Sequence, residues 1–299
     1  MKSIRFRINR MMLLLTMLIL LTAVLVLPIA ADFGPKPSLS VTVINPPDET
    51  YYMDLLIPTD PTQEYFSNLY EEEMAACPPE VLACLRDYND ENWRTALTYG
   101  TRIPLFGDLV GRTLTNGNVV HHFSYYATPT EYRLIFVTAE GDTYVSPTIE
   151  RHSFRQTLTY DFSAQEIVSQ TSIPRAYLIQ FTMTCLCTLV LEGILLWVFG
   201  FLRKEHRGYN LGVFALLNLL TQIVLTAVSG SALIFEGAYA AYFALVLSEI
   251  GIFAFEAVAL ARLLRGYTRG RRVGYALTAN LVSAVVSWLL ITFASNVIY

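Results

Sequence analysis

Between residues 176 and 295 the chain carries four long apolar runs, broken only by short basic or small-residue segments. Crossing the hydrocarbon core of a bilayer takes about 20 apolar residues as helix, and each run is near that length. Helix is also the form that satisfies backbone polar groups within one segment, as lipid requires. The spans are expected near 176–202, 210–230, 239–264 and 273–295, a four-helix transmembrane bundle within a domain over 176–299. A fifth apolar run, "MMLLLTMLILLTAVLVLPIAAD", follows a basic N-terminus. Residues 1–31 read either as a signal peptide cleaved near Ala31 or as a retained N-terminal transmembrane anchor. Pro28, Ala30 and Ala31 suit cleavage, whereas the long apolar core and Ile29 suit retention.

Charge divides the chain in the same way. Residues 32–175 hold 20 Asp and Glu against 9 Lys and Arg. The other 12 basic residues form three clusters beside apolar runs: Lys2 to Arg10, Arg203 to Arg207, and Arg262 to Arg272. The segment "SGSALIFEGA" between the second and third of the four runs has no Lys or Arg. The positive-inside rule then places all three clusters in the cytoplasm, and residues 32–175 and the C-terminus outside. Basic residues that hug membrane edges, beside an acidic exposed region, argue against a nucleic-acid partner.

The outside region is long enough for one compact domain. "SLSVTVI" alternates, with Leu39, Val41 and Val43 on one face; "SFRQTLTYDFS" alternates with Phe154, Leu158, Tyr160 and Phe162 on one face. "HHFSYYA" and "EYRLIFVTA" also read as strands, and "EGD" before "TYVS" as a hairpin turn. Residues 62–97, richer in Glu, Ala and Leu, read as a helical insertion. The fold class expected is a β-rich extracytoplasmic domain, β-sandwich-like or α+β. Cys77 and Cys84 flank "PPEVLA" and are candidates for a disulfide outside the cell; the alternative is two small buried thiols.

Motifs for chemistry are scarce. Adjacent His121 and His122 on a strand point to opposite faces, and no zinc spacing accompanies them. "DYNDENW" starts like a calcium loop but lacks its Gly and its closing Glu. No G-x-S-x-G, H-E-x-x-H or Walker sequence is present. No metal or cofactor is expected, and the balance is against an enzyme.

The membrane runs carry polar residues of their own. Glu249 and Glu256 are seven residues apart, about 700° of helix, and so share one face. Glu192 lies in the first of the four runs, Asn218 and Gln222 in the second, Asn280 and Ser283 in the last. At about 1.5 Å per residue from the basic edges, Glu256, Asn218 and Asn280 form one layer. Glu192, Gln222, Ser283 and Glu249 form another, deeper in the bilayer. With no intramembrane Lys, Arg or His, these carboxyls are expected to keep their protons, or to bind a proton or cation. Amide and hydroxyl groups also glue helices together, so a structural seam, a proton- or cation-linked site and a lipid or small-ligand pocket all remain open.

Several phrases resemble a family of uncharacterised membrane proteins of anaerobic Gram-positive bacteria: "ADFGPKPSLSVTV" (Ala31 to Val43), "YYMDLL", "IERHSF", "LEGILLWVFGFLRK", "NLLTQIVL" and "YALTANLVS". The resemblance implies a secretion signal, a β-rich outside domain and four C-terminal helices in the bacterial cytoplasmic membrane. It implies no activity. The functional expectation is an envelope protein whose outside domain binds a ligand or protein partner and whose bundle carries the carboxylate and amide layer. A small proton- or cation-linked transporter, an accessory subunit and an intramembrane enzyme are the alternatives.

Overall fold

The computed structural model describes residues 34–58, 62–88, 90 and 93–298, without the side chains of Ser287 and of 291–298. The expected signal peptide or anchor lies outside the described residues. The chain divides into a β-rich unit, Lys36–Ser172, and a helical unit that begins at Ile173.

The β-rich unit is two sheets around one core. Its strands are β1 (Ser38–Ile44), β2 (Tyr51–Pro58), β3 (Trp93–Thr95), β4 (Arg112–Thr113), β5 (Val119–Ser124), β6 (Glu131–Thr138), β7 (Thr143–Val145), β8 (Ile149–Glu150), β9 (Arg155–Asp161) and β10 (Glu166–Gln170). One sheet runs β10-β9-β1-β5-β4 and the other β3-β2-β6-β7, with β8 on β6. The β1–β9 pair is parallel, with Val41 opposite Leu158. The other pairs are antiparallel.

Alternation decides which residues meet between the sheets. Leu39, Val41 and Val43 are buried on β1, and Leu158 and Tyr160 on β9. Phe136 of the facing sheet stacks on Tyr160, with ring centroids 5.5 Å apart. The same parity carries Gln156 inside. There its amide donates to Tyr132 and to the Glu150 carbonyl, and its oxygen accepts from the His152 N–H. A fully bonded amide is tolerated where a bare one is costly.

The expected helical insertion contains two short helices, α1 (Glu71–Ala76) and α2 (Pro79–Arg86). Glu73 accepts from the Tyr70 N–H at the start of α1. The end of the insertion is strand instead: Trp93 and Thr95, a β-favouring pair, join β3 to β2. The expected Cys77–Cys84 disulfide is not formed, and both are free thiols. Cys77 packs into the core, while Cys84 sits on the exposed side of α2, away from its buried Val81 and Leu85.

Among the described residues the helical unit has four helices long and apolar enough to cross a membrane: α3 (Ile173–Val198), α4 (Arg207–Phe235), α5 (Ala238–Leu263) and α6 (Arg269–Ile298). This is a multi-pass membrane protein. Leu178, Leu186, Ile194, Trp197, Leu216, Ile223, Phe255, Val258 and Trp288 all stand exposed on these helices, a surface that suits lipid. Pro174 stands in the first turn of α3, where its missing N–H costs nothing. Gly200, at φ +82°, ends the turn after α3; a Cβ there would fall 2.7 Å from the Tyr267 hydroxyl. α4 contains a π turn at Thr226–Gly230.

Candidate functional site

The three glutamates sit where helix periodicity turns one face of each span toward its neighbours. On α3 the buried residues include Gln180, Thr184, Thr188 and Glu192, four apart, which is one stripe of a helix. On α4 they include Asn218, Thr221 and Gln222, on α5 Glu256, and on α6 Asn280 and Ser283. All seven expected residues (Glu192, Asn218, Gln222, Glu249, Glu256, Asn280 and Ser283) line one small cavity, joined by Thr188 and Thr221. Its free space is about 10 Å³, the threshold for a single water.

Glu256 ties three helices together. Its Oε1 lies 2.6 Å from Thr221 Oγ1 on α4, and its Oε2 accepts from Asn280 Nδ2 on α6 at 2.9 Å. Asn280 spends its second N–H on the Ala276 carbonyl. Gln222 bridges to α3, accepting from Thr184 at 3.2 Å and donating to Thr188 at 3.0 Å. Glu192 lies against Ser283 and Asn218, and its Oε2 is buried with no partner among the described residues. Glu249 is half-buried and within Coulombic range of both other carboxyls. The two expected layers are therefore one cluster: Asn218, placed with Glu256, touches Glu192 as well.

Among the described residues, no Lys, Arg or His lines the cavity. Apart from Arg175, the Lys and Arg residues of the helical unit gather at one end of the bundle, where Asn210 joins the two loops that carry them. Its amide donates to the Phe201 and Arg265 carbonyls, and its oxygen accepts from the Arg265 N–H, at 2.9–3.0 Å. Sequence reading missed Asn210, Thr184, Thr188 and Thr221. The four-residue spacing from Gln180 to Glu192 was the available signal for the α3 pair.

In the β-rich unit two buried groups stand out. Asp54 is wholly buried on β2 and accepts from the N–H groups of Leu55, Leu97 and Thr98 and from the Thr98 hydroxyl, at 2.7–3.0 Å. Burial pushes its carboxyl up to about 6, and those donors hold it from rising further. His121 is buried with its Nε2 3.2 Å from the Tyr51 hydroxyl, and burial lowers it to about 4. His122, on the opposite face, is exposed. The bonds of Leu97 and Thr98 to Asp54 tie β2 to the segment after β3. On its surface Glu49, Glu140 and Asp142 bring three carboxylates together.

Comparison with family models, with curated proteins and with solved structures found no match.

Proposed function

We propose that this is an integral envelope protein of a bacterial cytoplasmic membrane. Its β-rich unit would stand outside and engage a ligand or partner, and its bundle would hold a proton- or cation-linked carboxyl site. The family of anaerobic Gram-positive membrane proteins named above is the proposed affiliation. The placement of both basic loops in the cytoplasm follows from the positive-inside rule.

One observation carries the site reading: among the described residues, three carboxyls share a small buried space with no cationic side chain, and one carboxyl oxygen there is unpartnered. An ionised carboxylate at such depth costs at least ~2.5 kcal/mol on the most lenient insertion scale. It persists only as the acid or with a bound cation. Hydrogen counting is compatible with the acid at Glu256. The Thr221 hydroxyl has one hydrogen and lies within bonding distance of the Leu217 and Asn218 carbonyls as well as Glu256. A protonated Glu256 would donate to Thr221, whose own hydrogen would then go to the backbone.

A second reading, a purely structural seam, draws support from the small free volume and the two bonds of Gln222 to α3. The melting temperature of the purified chain separates the two readings. A linked site gives a dependence on Na⁺ (against choline) or on pH that disappears in Glu192→Gln or Glu249→Gln. If wild type and variants respond identically, the site reading fails.

A further inference from the structure

The two loops joined by Asn210 carry a charge that no described residue balances. Residues 199–210 and 262–272 hold eight Lys and Arg and one acid, Glu205. Among the described residues none of the eight pairs with a carboxylate; the ion pair that is formed, Arg133 with Asp90, belongs to the β-rich unit. Seven of the eight stand exposed, and Arg272 is partly buried. Crowded cations repel one another, and here they also oppose the helices they begin. Arg207 opens α4, and Arg269, Arg271 and Arg272 fill the first turn of α6, with no acidic residue in either first turn. The positive end of a helix dipole disfavours each of these four. An anion seated here offsets both effects.

The cations are held in place rather than left loose. Arg271 donates from Nε to the Phe199 carbonyl at 2.9 Å, tying the start of α6 to the end of α3. Arg272 donates from Nε to the Gly266 carbonyl at 3.0 Å. Tyr267 is the hub: the guanidinium carbons of Arg203 and Arg271 lie 5.0 and 4.1 Å from its ring centroid. Arg265 lies 3.8 Å from the ring centroid of Tyr209. A guanidinium held by its face against an aromatic ring keeps its N–H edge for a phosphate. Position then selects the occupant. The loops follow the last turns of α3 and α5, two membrane spans, and so stand at a bilayer surface. Trp197, Val198, Leu211 and Leu263 are exposed beside the cations, and Trp and Tyr favour the headgroup layer. A soluble anion would use the guanidiniums and leave those apolar side chains bare, whereas a phospholipid uses both.

We propose that this end of the bundle is a binding site for an anionic phospholipid of the adjoining leaflet, its headgroup held by the ring-braced arginines Arg203, Arg265 and Arg271. A zwitterionic headgroup would bring a further ammonium into this field; an anionic one does not. Basic pockets at the ends of membrane helices recognise anionic headgroups by the same electrostatics. The inference does not depend on how the carboxyl cluster is read.

The test gives the purified full chain, in an uncharged detergent, equimolar phosphatidylglycerol and phosphatidylcholine, and counts bound lipid by native mass spectrometry. Phosphatidylglycerol is expected in about tenfold excess on the protein, falling toward parity as salt is raised. Arg203→Gln with Arg265→Gln is expected to remove most of that excess. Both side chains act through ring contacts among the described residues, so the lipid-free melting temperature should match wild type. Arg262→Gln with Arg269→Gln removes the same charge without touching the ring-braced group and should keep most of the excess. Arg175→Gln, at the other end of α3, should leave it unchanged. Equal binding of the two lipids, or an excess that Arg203→Gln with Arg265→Gln retains, overturns the site, and the basic loops then serve orientation alone. Equal losses from the two double variants overturn it in favour of diffuse attraction. If sn-glycerol 3-phosphate at the same concentration displaces the phosphatidylglycerol, the occupant is a soluble phosphate compound and the lipid assignment falls.

Discussion

Replacing Glu256 distinguishes a carboxylic acid from a carboxylate by stability alone. A protonated Glu256 donates one bond to Thr221 and accepts one from Asn280. Glutamine reproduces that pattern, with Nε2 toward Thr221 Oγ1 and Oε1 toward Asn280 Nδ2, so Glu256→Gln should change unfolding free energy by less than about 0.5 kcal/mol. Leucine removes both bonds. Interhelical bonds in membranes average about 0.6 kcal/mol and reach about 1.7, so Glu256→Leu should cost about 1–3 kcal/mol. The loss stays moderate because Thr221 and Asn280 fall back on the Leu217 and Ala276 carbonyls. Reversible unfolding in mixed micelles, with Thr221→Val as the second arm of a double-mutant cycle, measures it. If Glu256→Gln costs as much as Glu256→Leu, glutamine does not reproduce the bonds that Glu256 makes, and the acid reading of this residue fails.

Asp54→Asn should destabilise the β-rich unit by about 2–4 kcal/mol, because an N–H₂ then faces buried donors; Trp93 fluorescence, with Trp197 and Trp288 replaced, reads it in the full chain. Between about pH 4 and 6 two linkages oppose each other. Asp54, raised from 3.8 to about 6, binds more proton when folded, so its contribution is full below pH 3.8 and is lost as pH rises through 6. His121, lowered from 6.5 to about 4, binds less, so its contribution is full above pH 6.5 and is lost as pH falls through 4. Wild-type stability should be nearly flat across that window, while His121→Gln should expose a fall with rising pH of up to ~1.4 kcal/mol per unit; a profile that rises with pH in that variant refutes the Asp54 assignment. Asn210→Ala should speed amide exchange in 199–206 and 264–268 and leave the β-rich unit unchanged.

Much of this architecture was legible because lipid leaves few choices. Apolar runs of about 20 residues become helices, and fixed helix geometry brought Glu192, Asn218, Gln222, Glu249, Glu256, Asn280 and Ser283 into one neighbourhood. Depth counting alone could not show that the layers merge, since Asn218 reaches Glu192 through side-chain length and helix rotation. The bridge from Gln222 to α3 went unread because Thr184 and Thr188 look like ordinary small residues until Gln222 is seen between them. Strand alternation gave the inner face of β1, but the parallel pairing of β1 with β9 depends on contacts over a hundred residues apart. Short loops admit many outcomes, so a bridge between Cys77 and Cys84 could not be decided from spacing before α2 was known.

The most direct measurement is the infrared carboxyl spectrum of the purified protein from about pH 5 to about pH 9, with and without Na⁺, for wild type and single Gln variants of Glu192, Glu249 and Glu256. A linked site requires at least one carboxyl band that disappears with rising pH or shifts with Na⁺, and that is absent in one variant. Three bands that stay unchanged across the range would contradict it. The cluster would then be a hydrogen-bonded seam, and function would lie with the β-rich unit.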